Sequence, residues 1–353
     1  MGREMGVCYA ISEDGISWEK PELGLVEFQG SKANNIVLRG PHGAGIRRDK
    51  RETDPQRRFK AFFRGRDQMC VAFSRDGLRW SDPIPCPEIQ ARGDTHNNWL
   101  WAPELGRYVG FTRLWDRKEG VRLVGRTESA DFLNWTRAEE VLRGEGPDRQ
   151  TYAMIVFRYA SLYLGLLMVL NRDEDTVDCE LAVSVDTIRW ERICTGTPLI
   201  PRGPEGSYDW GCVFAAAYPV VRKDGIRLYY AGSDGRHSDW RRGFFCLAHL
   251  RPDGFAGLEP IGEEVTGTVL TAPIECAGRR LLLSADVFNG SVRAAIAGAD
   301  GFGLENCKPI LSSVAGEAVV WDGGGDLSKF VGKRVQLLFE LRSARLYAFG
   351  FSD

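Results

Sequence analysis

Nine cysteines and four histidines are the side chains of this 353-residue chain best suited to ligate a metal or attack a substrate. Their spacing supports neither. The cysteines stand singly at 8, 70, 86, 179, 194, 212, 246, 276 and 307, with no Cys-x-x-Cys pair and no zinc spacing. Buried, reduced thiols are the expectation, with no tightly bound metal and no cofactor. Nucleotide chemistry is also excluded, because the segment from Gly40 to Gly45 lacks the Lys-Ser/Thr ending and following helix of a phosphate loop. No nucleophile elbow or dinucleotide fingerprint occurs. Arg47, Arg48, Lys50, Arg64 and Arg66 could together hold phosphate, but acids and bases alternate from Asp49 to Arg58, as on a solvated loop.

Composition removes further classes. Hydrophobic residues make up 43% and charged residues 27%, an ordinary globular balance. Lys plus Arg number 46 against 48 for Asp plus Glu, a net charge of -2 that gives no field to attract a polyanion, so no nucleic-acid partner is expected. The longest apolar stretch, around Leu162 to Leu170, falls well short of the roughly 18 residues of a membrane helix. The first residues carry no secretory signal. A cytoplasmic location is the expectation for the chain as written, and export if an N-terminal segment is missing.

The elements that must position any site follow from a repeat: a short apolar strand, Ser-x-Asp, a turn and a tryptophan. Its copies are YAISEDGISW, VAFSRDGLRW, RTESADFLNW and LAVSVDTIRW, ending at Trp18, Trp80, Trp135 and Trp190 with spacings of 62, 55 and 55 residues. A degenerate fifth copy, LAHLRPDGF, contains Asp253. Each copy reads as a hairpin whose Asp bonds its own backbone and whose aromatic packs the scaffold. Between copies lie further strand-like runs, giving four strands in about 55 to 65 residues, the size of a propeller blade. Only eight residues precede the first copy, so the chain begins part-way through a blade. After Pro260 the repeat stops and plain alternating strands follow. The predicted fold is all-β: a five-bladed β-propeller over residues 1–262, its first blade incomplete, then a β-sandwich over 263–353.

These hairpins, with WEKPELGLVEFQGSKANNIV, the blade opening GDTHNNWLWAPELGRYVGFTR and a C-terminal sandwich, resemble the five-bladed β-propeller glycoside hydrolases of the invertase-like and arabinanase-like groups. The resemblance covers essentially the whole chain. It implies a funnel on the propeller axis, lined by the starts of the innermost strands, with carboxylates as base or nucleophile, stabiliser and acid. Those starts read PHGAG with His42; GDTHNN with Asp94, His96 and Asn97; PDRQTY with Asp148, Arg149 and Tyr152; and PEGSYDWG with Glu205, Asp209 and Trp210. Glycosidic cleavage needs one carboxyl kept protonated and one ionised, which makes Asp94, Asp148, Glu205 and Asp209 the catalytic candidates. An Asp at a strand start can equally cap its own turn. The innermost strand of the first blade, which carries the nucleophile or base in those groups, has no counterpart here. Asp54-Pro55 is not transferred to a stabiliser role, because it lies between the first two strands of its blade.

Arg113 and Trp115 end the second strand of one blade, and Arg236, His237 and Trp240 lie in the loop SDGRHSDWRR of the last. Arginines bridge hydroxyls and tryptophan stacks on sugar rings, so these join the candidate carbohydrate-binding set with His42, His96, Asn97, Arg149, Tyr152 and Trp210. The repeat tryptophans are expected to be packing residues. Three readings follow: a glycoside hydrolase acting on a plant or microbial glycan, a glycoside phosphorylase on the same scaffold, and a non-catalytic carbohydrate-binding propeller.

Overall fold

The computed structural model describes residues 5–239, 241–262 and 265–353. Among these, strands dominate and only three single-turn 3-10 helices interrupt them. Among the described residues no helix is long and apolar enough to cross a membrane. All nine cysteines are free thiols; seven are buried, while Cys8 and Cys194 are exposed. The chain divides into two compact units, one running through Val220 and including Arg227–Ala248, the other comprising Val221–Ile226 and His249–Asp353.

The first unit is a β-propeller. Its opening sheet is the pair β1 (Gly6–Cys8) and β2 (Ile36–Arg39). Next come two four-stranded antiparallel blades: β3 (His42–Arg48), β4 (Phe59–Arg64), β5 (Met69–Ser74) and β6 (Ile84–Pro85), then β7 (Asn98–Ala102), β8 (Arg107–Asp116), β9 (Val121–Ser129) and β10 (Glu139–Arg143). β11 (Arg149–Tyr159), β12 (Leu162–Asn171), β13 (Thr176–Ser184) and β14 (Glu191–Ile193) form another. A single parallel bridge, Val177 to Cys212, links it to β15 (Cys212–Ala215), which pairs with β17 (Gly225–Ser233); β16 (Val220–Arg222) and β18 (Gly243–Leu250) flank β17.

The repeated hairpins explain the blades. In all four copies the Ser hydroxyl accepts the N–H three residues on, and the Asp Oδ1 accepts the two N–H groups beyond its turn, at 2.8–2.9 Å in the copy at Asp76. The residue after the Asp has positive φ each time: Gly15, Gly77, Phe132 and Thr187. Glycine takes this conformation freely, whereas Phe132 is held in it by full burial among Trp99, Tyr108 and Trp135. The tryptophan indole N–H then closes the turn onto a carbonyl three residues back at Trp80, Trp135 and Trp190. Trp135 packs on Phe62 and Trp190 on Phe111, each in the preceding blade. Trp18 packs on Tyr229 of β17 and Phe245 of β18, so by the same rule the last blade precedes the first hairpin around the ring.

Inner strands β3 and β7 meet closely. A Cβ on Gly43 would lie 2.5 Å from the His96 nitrogen, and one on Gly45 2.4 Å from the Asn97 carbonyl oxygen. Gly43 also has φ +56, so glycine is required there twice over. Asn97 locks this contact: its amide donates to the Gly43 and Gly93 carbonyls at 3.0 and 2.8 Å, and its Oδ1 accepts from Thr112 at 2.6 Å. Asn98 does the same for β11, donating to the Met154 carbonyl and accepting from Val156 N–H. Tyr218 reaches across to bond both the N–H and C=O of Trp99.

In the second unit β19 (Thr266–Leu270), β24 (Leu337–Ser352), β21 (Arg280–Ile296) and β22 (Val314–Ala318) form one antiparallel sheet in that spatial order. β20 (Ile274–Glu275) and β23 (Arg334–Val335) pair as a separate ribbon. The long strands β21 and β24 change register at Ser284/Ala285 and again between Val287 and Ser291. Bulges of this kind let one sheet curl over a core, here built on Trp321, Phe339, Leu281, Leu337 and Leu341. The expected sandwich is realised as this curled sheet with its ribbon.

Candidate active site

Three inner-strand starts of the propeller converge on one polar and aromatic cluster. From the segment entering β7, Asp94 accepts an ion-paired hydrogen bond from Arg113 Nη1 at 2.5 Å. Arg113, near the end of β8, is almost wholly buried, while the Asp94 side chain remains 37% exposed. Nε of Arg113 donates to the Tyr152 carbonyl at 2.8 Å, and its guanidinium sits 4.1 Å from the Tyr152 ring centroid. Its Nη2 is buried without a protein partner. Tyr152 is the extra residue of a bulge in β11, between Thr151 and Ala153, and that bulge turns its side chain toward the other blades.

The aromatic rings close around this pair. His96 stacks on Phe214 of β15 with centroids 5.5 Å apart and meets Tyr152 edge-on. Burial, then the Arg113 charge, pushes the His96 imidazole down to about 3, so the ring is neutral. His42, the first residue of β3, is held below its usual range by burial against the opposing pull of Asp94, with Arg64 and Arg113 adding to the depression. From the loop after β17, His237 Nε2 lies 3.3 Å from the Tyr152 hydroxyl and Nδ1 lies 3.6 Å from Asp175. Asp175 sits in the β12–β13 turn. Burial alone would raise its carboxyl, but hydrogen bonds from Ser238 and the nearby His237 leave it below the usual range. His237 is lowered by burial first and Arg122 next, against Asp175.

Beside the cluster opens a cavity of about 440 Å³ lined by Gln90, Arg92, Arg113, Trp115 and Arg117. Trp115 is 44% exposed, with the Arg122 guanidinium 4.7 Å from its centroid. A flat, accessible indole beside arginine donors is a surface on which a sugar ring can stack and be hydrogen-bonded.

Of the sequence candidates, the structure brings Asp94, His96, Arg113, Tyr152 and His237 together, with His42 electrostatically coupled to Asp94 and Trp115 at the adjoining cavity. Others go elsewhere. Asp148 and Glu205 are exposed and make no side-chain hydrogen bond or ion pair among the described residues. Asp209 is buried, accepting from Tyr230 and Ser207 at 2.8 and 3.0 Å. Asn97 is spent on the backbone carbonyls of Gly43 and Gly93. Arg149 pairs with Glu145 and with buried Glu180, which Arg192 also holds. Trp210 donates its indole N–H to the Asp234 carbonyl. Arg236 is exposed, contributing its carbonyl to Arg241. Trp240 lies outside the described residues. The sequence reading missed Asp175, Phe214, Arg122 and Arg241. Their signal was weak: a turn aspartate, an apolar inner-strand residue and two ordinary-looking arginines.

Neither a family model nor a curated protein sequence matches the chain. Solved structures do. An N-acetylgalactosamine deacetylase from F. plautii, in complex with blood group B trisaccharide, is similar over 70% of this chain and 81% of its own, with 16% identity and TM-score 0.51. The protein BT0996, solved as an RGII complex, matches over 69% of this chain and 78% of its own, with 16% identity and TM-score 0.51. A glycoside hydrolase matches over 72% and 81%, with 14% identity and TM-score 0.50. What these share with the chain is the β-propeller fold of the glycoside hydrolases that its repeats resemble.

Proposed function

We propose that the cluster around Asp94 binds a glycan and hydrolyses one of its glycosidic bonds. The single observation that carries this is a half-open carboxylate, Asp94, ion-paired to buried Arg113 where three inner strands meet, beside a cavity edged by exposed Trp115. Hydrolysis needs a carboxylate to activate water or steady the positive charge at the anomeric carbon, and Asp94 is placed for that. The Arg113 clamp fixes the carboxylate's direction while one face stays open. The glycoside hydrolase and trisaccharide-bound neighbours support a carbohydrate partner for this fold.

A second reading, glycan binding without turnover, is favoured by one fact: three of the four carboxylates expected to act together lie outside the cluster. A panel of aryl furanosides and pyranosides, with and without added phosphate, separates these readings, and acetate release from N-acetylated sugars is followed in parallel. Turnover by the wild type that falls with Asp94→Asn supports hydrolysis. Calorimetric binding of a glycan with no turnover of any kind leaves the binding reading.

A further inference from the structure

We propose that Tyr152 is the proton donor of this site, its phenol held by His237, which Asp175 in turn orients. The proposal rests on the hydrolytic reading above and supplies the group that reading still needs. A glycosidic oxygen leaves only if something protonates it. The two carboxylates within the cluster are committed as anions: Asp94 to the Arg113 guanidinium, Asp175 to the Ser238 N–H and hydroxyl and to His237. A phenol is protonated at neutral pH where a carboxylic acid is not, so it can serve without the hydrophobic pocket that a carboxyl donor requires.

Geometry singles out Tyr152 for the task. It is the bulged residue of β11, half-buried, with its hydroxyl directed at the His237 loop and its carbonyl pinned by Arg113. Because Nδ1 of His237 faces the Asp175 carboxylate at 3.6 Å, the neutral imidazole carries its proton there. Nε2 is then the acceptor for the phenol O–H at 3.3 Å. The loop is fixed in this pose, since the His237 N–H donates to the Asp175 carbonyl at 2.7 Å and Arg241 donates to the His237 carbonyl. The arrangement is an Asp-His-Tyr chain built from three separate segments of the propeller.

The charged groups facing the phenol come from every side. Arg113 on β8 and Arg122 on β9 lie 4.1 and 5.6 Å from its ring centroid. Neutral His96 from the entry to β7 meets the ring edge-on, and His237 from the last blade faces the hydroxyl. Two guanidiniums over the ring stabilise the phenolate that remains when its proton leaves. In the step itself, the phenol O–H swings from His237 Nε2 to the glycosidic oxygen and its proton goes there as the C1–O bond breaks, the bonding pair staying on that oxygen. Water adds to C1 and gives a proton to Asp94. Proton return from Asp94 to the phenolate through solvent, relayed at His237, restores both groups.

The test uses dinitrophenyl and methyl glycosides of whichever sugar the wild type hydrolyses. A dinitrophenolate departs unprotonated, whereas a methoxide cannot. Tyr152→Phe is expected to lose about 10²- to 10⁴-fold on the methyl glycoside and less than about tenfold on the dinitrophenyl one. His237→Gln, a positioning change, should lower activity on the methyl glycoside less than Tyr152→Phe does, and by a larger factor than it lowers dinitrophenyl turnover. Nitrogen-15 shifts of His237 should show a protonated Nδ1 whose partner nitrogen changes in Tyr152→Phe. Equal losses on both glycosides, or wild-type rates on the methyl glycoside, overturn the donor while hydrolysis stands. An Nε2-protonated His237 overturns its role as the acceptor that holds the phenol. A wild type that turns over no glycoside at all sinks the hydrolytic reading and the donor with it.

Discussion

Asp131 and Asp94 are the same residue type in neighbouring stretches of one blade, and they do opposite work. Asp131 spends one oxygen on the N–H groups of Leu133 and Asn134 and the other on the Asn134 side chain. Asp94 is held by a single guanidinium and keeps a face open to solvent. The difference lies in where the lone pairs go. A hairpin aspartate saturated by its own turn is scaffold, however regularly it recurs, and an aspartate tethered from another strand with free capacity is available to a ligand. The same contrast explains Asp209, whose oxygens are taken by Tyr230 and Ser207.

The largest effect expected from this contrast is on catalysis. Asp94→Asn should reduce kcat by about 10³-fold with a melting temperature close to wild type, as read by steady-state rates and calorimetry. Next is Asn97→Ala, which strands the Gly93 carbonyl and the Thr112 hydroxyl, while the Gly43 carbonyl keeps the N–H of residue 97. It should cost about 2–4 kcal/mol in denaturant unfolding, because each buried group left unpaired carries its own desolvation penalty. Asp131→Ala should cost about 1–2 kcal/mol and leave turnover within about twofold. Asp148→Asn and Glu205→Gln should change stability by less than about 0.5 kcal/mol and rates not at all.

Acid titration sharpens the same comparison. Hydrogen bonds from their own turns hold the carboxyls of Asp14 and Asp76 at about 2. Asp131 also sits at about 2, burial opposing the N–H groups of Asn134 and Leu133. A carboxyl depressed in the folded state contributes stability that is present above the unfolded value of about 3.9 and is lost as pH falls through the folded one. Unfolding midpoints should therefore decline between about pH 4 and pH 2, and Asp131→Asn should flatten that decline. An unchanged acid limb in that variant would contradict the turn assignment.

The propeller was legible because each hairpin is local: Ser74, Asp76 and Trp80 state their turn within seven residues, and the statement repeats. The site was only partly legible. Asp94, Tyr152 and His237 stood at positions the strand order pointed to, yet nothing in PDRQTY announces that a bulge at Tyr152 turns its side chain inward. Nor could Asn97 be recognised as a lock, since one of its partners, the Gly43 carbonyl, lies on a different blade. Asp175 and His237 are 62 residues apart in the chain and come into register only when two blades are stacked side by side. Contacts of that range are fixed by packing, and a single sequence carries no local trace of them.

The most direct test of the central claim is a matched pair of variants, Asp94→Asn and Asp131→Asn, assayed on the same glycoside panel at equal folded concentration. Turnover abolished by the first and preserved by the second is the predicted result. Preservation in both, with wild-type glycan affinity, would contradict it and place the chemistry away from the propeller axis.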